Sequence, residues 1–321
     1  MIPVSPSSGG RAGPPSPLGD SPQRSPSSLG GETAGRGVVP VSPPSGGRAG
    51  GAGKGVVPIS LTVPQFSTDP QHLRALAARA SGYGFNGLFA FDHLVPLGDP
   101  HRPVFELAAI LGALGASTDV TVGSLVMRVT LRRPEISAAV AVTLDALVPG
   151  RAILGLGVGD SMSAEEAHRF GQTLPSLDDR VDLLGETISA VKSVAPTLPV
   201  WVGGRHDQLR ELAARSADGW NAWGADLDEL AEETAEVRAN AGDRPFTISW
   251  GGTLVLAPGE ATLATRIAER GGSEGVVAGT PPVIRRHLEE LSGVVDQIIV
   301  SVVPNRPPNW ELFSQAVLGV A

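Results

Sequence analysis

Leu144 to Asp160 reads LDALVPGRAILGLGVGD. Its first half is the tail of a helix that ends in Pro149-Gly150, the residue pair that closes helices most readily. The apolar run Ala152 to Leu156 begins straight after Arg151 and is short enough to be a buried strand. That strand dissolves into Gly155, Gly157 and Gly159, with Asp160 behind them. Helix, tight turn, buried strand and glycine-rich exit form one step of an α/β alternation. Without side chains, those glycines let a ligand meet backbone N–H groups, which suits an anion. A turn needed only for packing round a corner is the alternative. Asp160 has its own alternative, as the cap of a helix beginning near Ser163.

Outward from this stretch the alternation continues along the chain from Val57. Strands are expected at Val57–Val63, Gly87–Phe91, Val120–Val126, Ala152–Leu156, Pro199–Val202, Gly219–Trp223, Thr247–Leu256 and Gln297–Val302. Helical spacing of apolar residues recurs at His72–Ala80, Val104–Leu114, Ile136–Leu147, Arg180–Val194, Gln208–Ser216, Leu227–Ala239, Ala261–Ala268 and Val283–Leu291. Eight strands in strict alternation with helices predict a (β/α)8 TIM barrel over residues 56–321. Polar and glycine residues gather after the strands: Gln65, Asp92-His93, Ser124, Gly159-Asp160, Gly203-Gly204 and Asn221. A barrel puts all of them on its carboxyl-terminal face, where sites are built. A dinucleotide-binding sheet would need a glycine fingerprint after the first strand, and that strand ends in Pro64-Gln65.

Residues 1–55 are a different material, rich in Pro, Ser and Gly with almost nothing to bury, and they read as a disordered tail. IPVSPSSGGRAG from Ile2 recurs as VPVSPPSGGRAG from Val39, and AGRGVVPVS from Ala34 as AGKGVVPIS from Ala52. Such units cannot bury a shared face, so they are no solenoid. A mis-assigned start is the preferred explanation, with translation beginning near Val56. A genuine disordered linker is the other. The chain carries 25 basic and 33 acidic residues, a net charge of −8. The tail takes five basic and two acidic residues of these, which leaves the folded part 20 against 31, or −11. That balance repels nucleic acid. With no cysteine, disulfides, thiolate nucleophiles and Cys-ligated metals are excluded. No apolar run suits a membrane span and no signal-peptide core opens the chain, so a cytoplasmic protein without a metal is expected.

Three elements carry chemistry. In FAFDHL, Phe89 to Leu94, His93 stands at a strand terminus, where it can donate to a carbonyl or oxyanion and change charge near neutral pH. A satisfied core histidine is the bland alternative, and Asp92 has an equal claim to a structural role. The glycine loop ending in Asp160 is the second. The third, PVWVGGRHDQLRELAARSADGWNAWG, sets Gly203-Gly204 and Arg205 at the start of a helix near Asp207. Backbone donors, a helix dipole and one guanidinium then converge as a phosphate site in outline. A tight turn with a solvated Arg205 is the alternative.

Taken together, DH after strand two, GSLV in strand three, the LDALVPGRAILGLGVGD step, and WVGG followed by LAARSADGW resemble the bacterial luciferase-like monooxygenase superfamily. The chain is more similar still to that superfamily's deazaflavin-dependent oxidoreductases, which use coenzyme F420. The resemblance runs from about Val57 to Pro304. It implies His93 and Asp92 near the deazaflavin ring, and a non-prolyl cis peptide within Ser124, Leu125 and Val126 behind it. It also implies Val158, Gly159 and Asp160 along the cofactor, and Gly203, Gly204 and Arg205 at its phosphate. Members that oxidise sugar phosphates have a tryptophan where this chain has Leu97, which speaks against that substrate. The stretch from Val194 to Pro199 is shorter than in many relatives, and Asp160 stands where some have glutamate.

The expectation is an oxidoreductase moving a hydride between coenzyme F420 and a small-molecule substrate. His93 and Asp160 are its catalytic candidates, and Trp201, Trp220 and Trp223 either wall the pocket or pack the barrel. Two alternatives stay open: an FMN-dependent monooxygenase on the same fold, and a non-catalytic cofactor-binding protein whose tail engages a partner. A homodimer through outer helices is the prior for such barrels.

Overall fold

The structure, a computed structural model, describes residues 57–66, 69–96, 101–102 and 104–320. The readings of the 1–55 tail and of Leu97 lie outside the described residues. Among these, the strands in chain order are β1 (Ile59–Thr62), β2 (Gly87–Ala90), β3 (Thr121–Ser124), β4 (Met127–Arg128), β5 (Ala152–Gly157), β6 (Val200–Gly203), β7 (Gly219–Trp223), β8 (Thr247–Leu256), β9 (Val277–Gly279) and β10 (Gln297–Val303). The helices are α1 (Pro70–Arg79), α2 (Leu107–Ser117), α3 (Pro134–Leu147), α4 (Ser161–Arg169) and α5 (Leu177–Val194). They continue as α6 (Asp207–Ser216), α7 (Leu227–Ala241), α8 (Glu260–Arg270), α9 (Pro281–Leu291) and α10 (Pro307–Leu312).

Every strand pairing is parallel, in the order β10-β1-β2-β3-β5-β6-β7-β8, and β8 pairs back onto β10. The sheet therefore closes on itself as an eight-stranded barrel. The short β4 adds to β5, and β9 adds to the far end of β8.

Alternation along each strand divides the core in two. Outward residues such as Leu61, Leu88, Leu154, Val200 and Ile298 pack against the helices in the large cluster. Inward residues form a smaller one: Phe89, Leu125, Trp201 and Ile299, flanked by Phe91, Val126 and Ile153. Phe89 and Trp201 stack across the lumen with centroids 6.2 Å apart. They fit because their inward neighbours are glycines. A Cβ on Gly123 would lie 2.5 Å from Phe89, and one on Gly219 would lie 2.6 Å from Trp201. Burial of each such ring contributes on the order of 2–3 kcal/mol.

The eight expected strands are the eight barrel strands. Two helices escape the apolar periodicity. SMSAEEAHR of α4 has no large apolar stripe, and α10 follows a proline-rich turn. Helix starts also differ by a few residues, because caps set them. Glu106 accepts from Ala109 N at 2.8 Å, so α2 begins at Leu107. Ser176 accepts from Asp179 N, so α5 begins at Leu177.

Candidate active site

From Gly123 to Met127 the chain advances four residues, while its partner strand advances three, from Ile153 to Leu156. One extra residue therefore bulges between β3 and β4. The Leu125-Val126 peptide within the bulge is cis. Leu125 turns into the lumen cluster, and Val126, partly buried, packs against it. The glycines that first suggested an anion cradle are explained by this bulge. A Cβ on Gly157 would sit 2.3 Å from a Val126 methyl, and one on Gly203 2.6 Å from the other. A Cβ on Gly155 would sit 2.3 Å from Ser124 O. Ser124 itself is buried, its hydroxyl donating to Gly155 O at 2.7 Å. The glycines of β5 and β6 thus form a recess for Val126, which corrects their reading as bare ligand-binding backbone.

His93 follows β2 at the same face. Its ring lies among Phe66, with centroids 5.8 Å apart, and Phe91, at 6.2 Å. Phe91 meets Trp223 edge-on at 5.5 Å. Because β2 and β7 lie opposite each other in the ring of strands, that contact crosses the barrel axis. An aromatic floor with one imidazole at its side results. Of the three tryptophans, Trp223 lies at this mouth. Trp201 packs the lumen, and Trp220 is fully buried with its indole donating to Gly204 O.

His93 Nδ1 faces Glu166 Oε2 at 3.7 Å. Glu166, from α4, is buried and was not singled out from the sequence. Its Oε1 accepts from the backbone N–H groups of Leu94 and Val95. Its Oε2 also faces Arg128 Nη2 at 2.5 Å, an ion pair in which neither atom has hydrogen-bond alignment. Burial pushes the Glu166 carboxyl up, but the His93 contact, the Arg128 charge and the two backbone donors outweigh it. The net direction is down, so the group is ionised.

Asp92 is spent inside the protein. Its carboxylate accepts from Arg128 N at 2.8 Å and from both Arg132 terminal nitrogens, at 2.5 and 3.1 Å. Arg132 continues to Glu106 at 2.9 Å. Burial opposes the Arg132 charge, yet its two carboxylates hold its pKa above the usual value. Asp92 therefore ties the β2 exit to the bulge, which is the structural role that the sequence left open for it.

Asp160 is the N-cap of α4. Its Oδ1 accepts from Ser163 N and Ser163 Oγ, both at 2.9 Å, while Asp160 N donates to Ser163 Oγ at 3.1 Å. This reciprocal capping box places α4, and with it Glu166. The carbonyls of Val158 and Gly159 both accept from Arg180, at 3.0 and 2.8 Å. Gly159 takes φ +76°, which a side chain would resist. The capping alternative for Asp160 is the one the geometry displays.

The phosphate outline at β6 also needs correction. Arg205 is bound to Glu233, at 3.0 and 2.9 Å, and to Glu229 at 2.5 Å, both on α7. The Glu233 hydrogen bonds raise its pKa against a smaller effect of burial. Arg210 joins the cluster through Glu233, Glu236 and Asp207. Two guanidiniums among four carboxylates give a locally negative cluster, and Arg205 is not a free cation. Gly203 and Gly204 remain at the mouth, with Gly204 at φ +120° and its N–H donating to Asn221 O.

Among the described residues no group of His, Asp and Glu is arranged to hold a metal ion. No helix there is long and apolar enough to cross a membrane.

Residues 48–290 match the family model of the luciferase-like monooxygenases. An F420-dependent glucose-6-phosphate dehydrogenase of Nakamurella multipartita is 30% identical over 174 residues, 47% of this chain and 51% of that protein. The chain thus spans about half the length of that relative. An F420-dependent hydroxymycolic acid dehydrogenase of Mycobacterium tuberculosis is 27% identical over 294 residues, 82% of this chain and 79% of that one. Among solved structures, an F420-dependent secondary alcohol dehydrogenase with an F420-acetone adduct has the same fold. Its TM-score is 0.70 at 15% identity, over 83% of this chain and 99% of that one. EDTA monooxygenase from Chelativorans sp. gives 0.68 at 13%, over 83% and 93%. With the matched model covering most of the barrel, this chain belongs to the luciferase-like monooxygenase family.

Proposed function

We propose that the chain is an oxidoreductase that uses coenzyme F420 to move a hydride to or from a small, uncharged organic substrate. The observation that carries this reading is the Val126 ledge, seated on Gly157 and Gly203 in the lumen cluster that Phe91 flanks, with His93 against the Phe91 ring. A flat ring needs a seat with no side chain rising through it, and glycines beneath a single bulged valine supply one. The residues present therefore fit a deazaflavin. The coenzyme, when bound, supplies the hydride chemistry.

The chain's own residues do the rest. The Leu125-Val126 backbone and the Val126 side chain support one ring face. The Gly203-Gly204 turn, bare of side chains, lets a phosphate approach the amino-terminal end of α6 without help from Arg205. Phe66, Phe91 and Trp223 exclude water from the reacting face. His93 exchanges a proton with the substrate oxygen through Nε2, the ring nitrogen turned away from Glu166. Arg128, Arg132, Arg180 and Arg205 are each engaged by internal partners, which favours a neutral alcohol or carbonyl over a phosphorylated sugar. The dehydrogenase names of the relatives support the cofactor.

An FMN-dependent monooxygenase is the second reading, favoured by the fold shared with EDTA monooxygenase. Incubation with oxidised F420 and a panel of secondary alcohols tests the first. Bleaching of the deazaflavin that requires both alcohol and protein is expected. Oxygen uptake with reduced FMN, and no bleaching of F420, would overturn it.

A homodimer belongs to the same proposal. Helix α2, LAAILGALGAS, has no charged residue although Ala109, Ala113 and Ala116 are exposed. On α3, Ile136, Val142 and Leu147 are more than two-fifths exposed. An apolar surface of this kind marks an interface.

A further inference from the structure

We propose that Glu166 is a positioning residue that sets the tautomer of His93, holding its proton on Nδ1 and leaving the Nε2 lone pair at the barrel mouth. The role given to that lone pair rests on the oxidoreductase reading; the tautomer itself does not.

The geometry makes Glu166 suited to this and to little else. It comes from helix α4, whereas His93 follows β2, so the contact joins a helix to a strand exit 73 positions away in sequence. Oε1 clamps the backbone directly after His93, at Leu94 and Val95. The main chain that carries the imidazole is thereby registered against the carboxylate that faces it. Oε2 is turned to the ring, with Nδ1 the nearer nitrogen at 3.7 Å. Among the described residues, Arg128 also lies against Glu166, and the rings of Phe66 and Phe91 lie against His93.

A neutral imidazole has one N–H and one lone pair, and its neighbours decide which nitrogen carries which. With the proton on Nε2, the Nδ1 lone pair would face an anionic oxygen 3.7 Å away. With the proton on Nδ1, a positive edge faces that oxygen. Glu166 stays ionised because the His93 contact, Arg128 and the backbone donors outweigh its burial. The carboxylate therefore biases His93 without taking its proton. What remains free is Nε2, and it acts as a proton acceptor. In the oxidoreductase reading this would give the site a direction: a substrate hydroxyl would donate its proton to Nε2 as its carbon gives up hydride to the oxidised deazaflavin.

The Glu166→Gln variant is the appropriate probe. The amide oxygen can still accept from Leu94 and Val95, while the amide nitrogen removes the charge facing Nδ1. The measurement is the long-range proton–nitrogen spectrum of 15N-histidine-labelled full chain without cofactor, at a pH where imidazoles are neutral. Loss of its signals in His93→Gln identifies His93. The expected result is Nδ1–H in the unaltered protein and a majority of Nε2–H in Glu166→Gln. The other five histidines should be unmoved and the circular dichroism unchanged. An Nε2–H tautomer in the unaltered protein overturns the proposal, even if Glu166→Gln fails to fold. So does an unchanged Nδ1–H tautomer in a folded Glu166→Gln.

A kinetic arm separates this from the functional reading. Given F420-dependent alcohol oxidation, Glu166→Gln should lower kcat by about 10²–10⁴, the usual worth of a general base, with KM little changed. A tautomer shift as expected, with no F420-dependent turnover in any form of the protein, leaves the positioning role standing and removes the oxidoreductase reading.

Discussion

At Gly157 and Gly203 a single Cβ would press on Val126, at 2.3 and 2.6 Å. From the sequence these glycines stood out, but their purpose did not. Nothing in LGLGVGD says that a bulge from the preceding strand lies across them. The cis bond was legible only through the family resemblance. Glu166 was illegible altogether, because an acid in SAEEAH looks like any solvated helix face. Gly157→Ala should cost about 1–3 kcal/mol, the usual range for overpacking. Chemical denaturation should show Val126→Ala restoring part of that loss in the double variant, since it removes the methyls in the way. Additive losses would mean that Gly157 serves something other than Val126. A pH dependence follows from Glu166. Its folded pKa lies below the ordinary value of 4.5. The stability it contributes is fully present above that value and is lost as pH falls through the folded one. Acid unfolding curves of Glu166→Gln should therefore converge on those of the unaltered protein as pH drops below 4.5.

The eight barrel strands were legible because parallel strands buried on both faces leave continuous apolar runs. Helix α4 was not, since its described buried residues are Ser163, Glu166 and Ala167, which carry no apolar periodicity. Yet α4 delivers Glu166 to His93, and Asp160 starts it. A cap and a catalytic acid respond differently to substitution. Asparagine caps as well as aspartate, whereas alanine loses about 1 kcal/mol. Asp160→Asn should therefore keep both melting temperature and turnover, while Asp160→Ala lowers the first and weakens the second by displacing Glu166. Steady-state assays with thermal melts decide this. Loss of turnover in a fully stable Asp160→Asn would return Asp160 to proton chemistry.

For the whole molecule, the closed barrel brings groups spread from Phe66 to Trp223 onto one face, and that convergence was foreseen from the polar strand ends. Pairing among charges was not. Arg205 looked like a phosphate ligand until α7 placed Glu229 and Glu233 against it. Partners distant in sequence decide whether an arginine is free. The uncharged outer face of α2 makes a prediction at this scale. Sedimentation should find a dimer, and Ala113→Glu should yield a folded monomer by placing a charge in the apolar contact. A dimer that survives Ala113→Glu would move the interface elsewhere.

The oxidoreductase reading stands on the Val126 ledge as the seat of a deazaflavin. Equilibrium titration of the full chain with F420 and, separately, with FMN tests it most directly, with Gly203→Ala as the control. Saturable binding is expected, tighter for F420 and weakened about tenfold or more when the Gly203 Cβ pushes Val126 out of its recess. Tight FMN binding without affinity for F420, or F420 binding indifferent to Gly203→Ala, would contradict it.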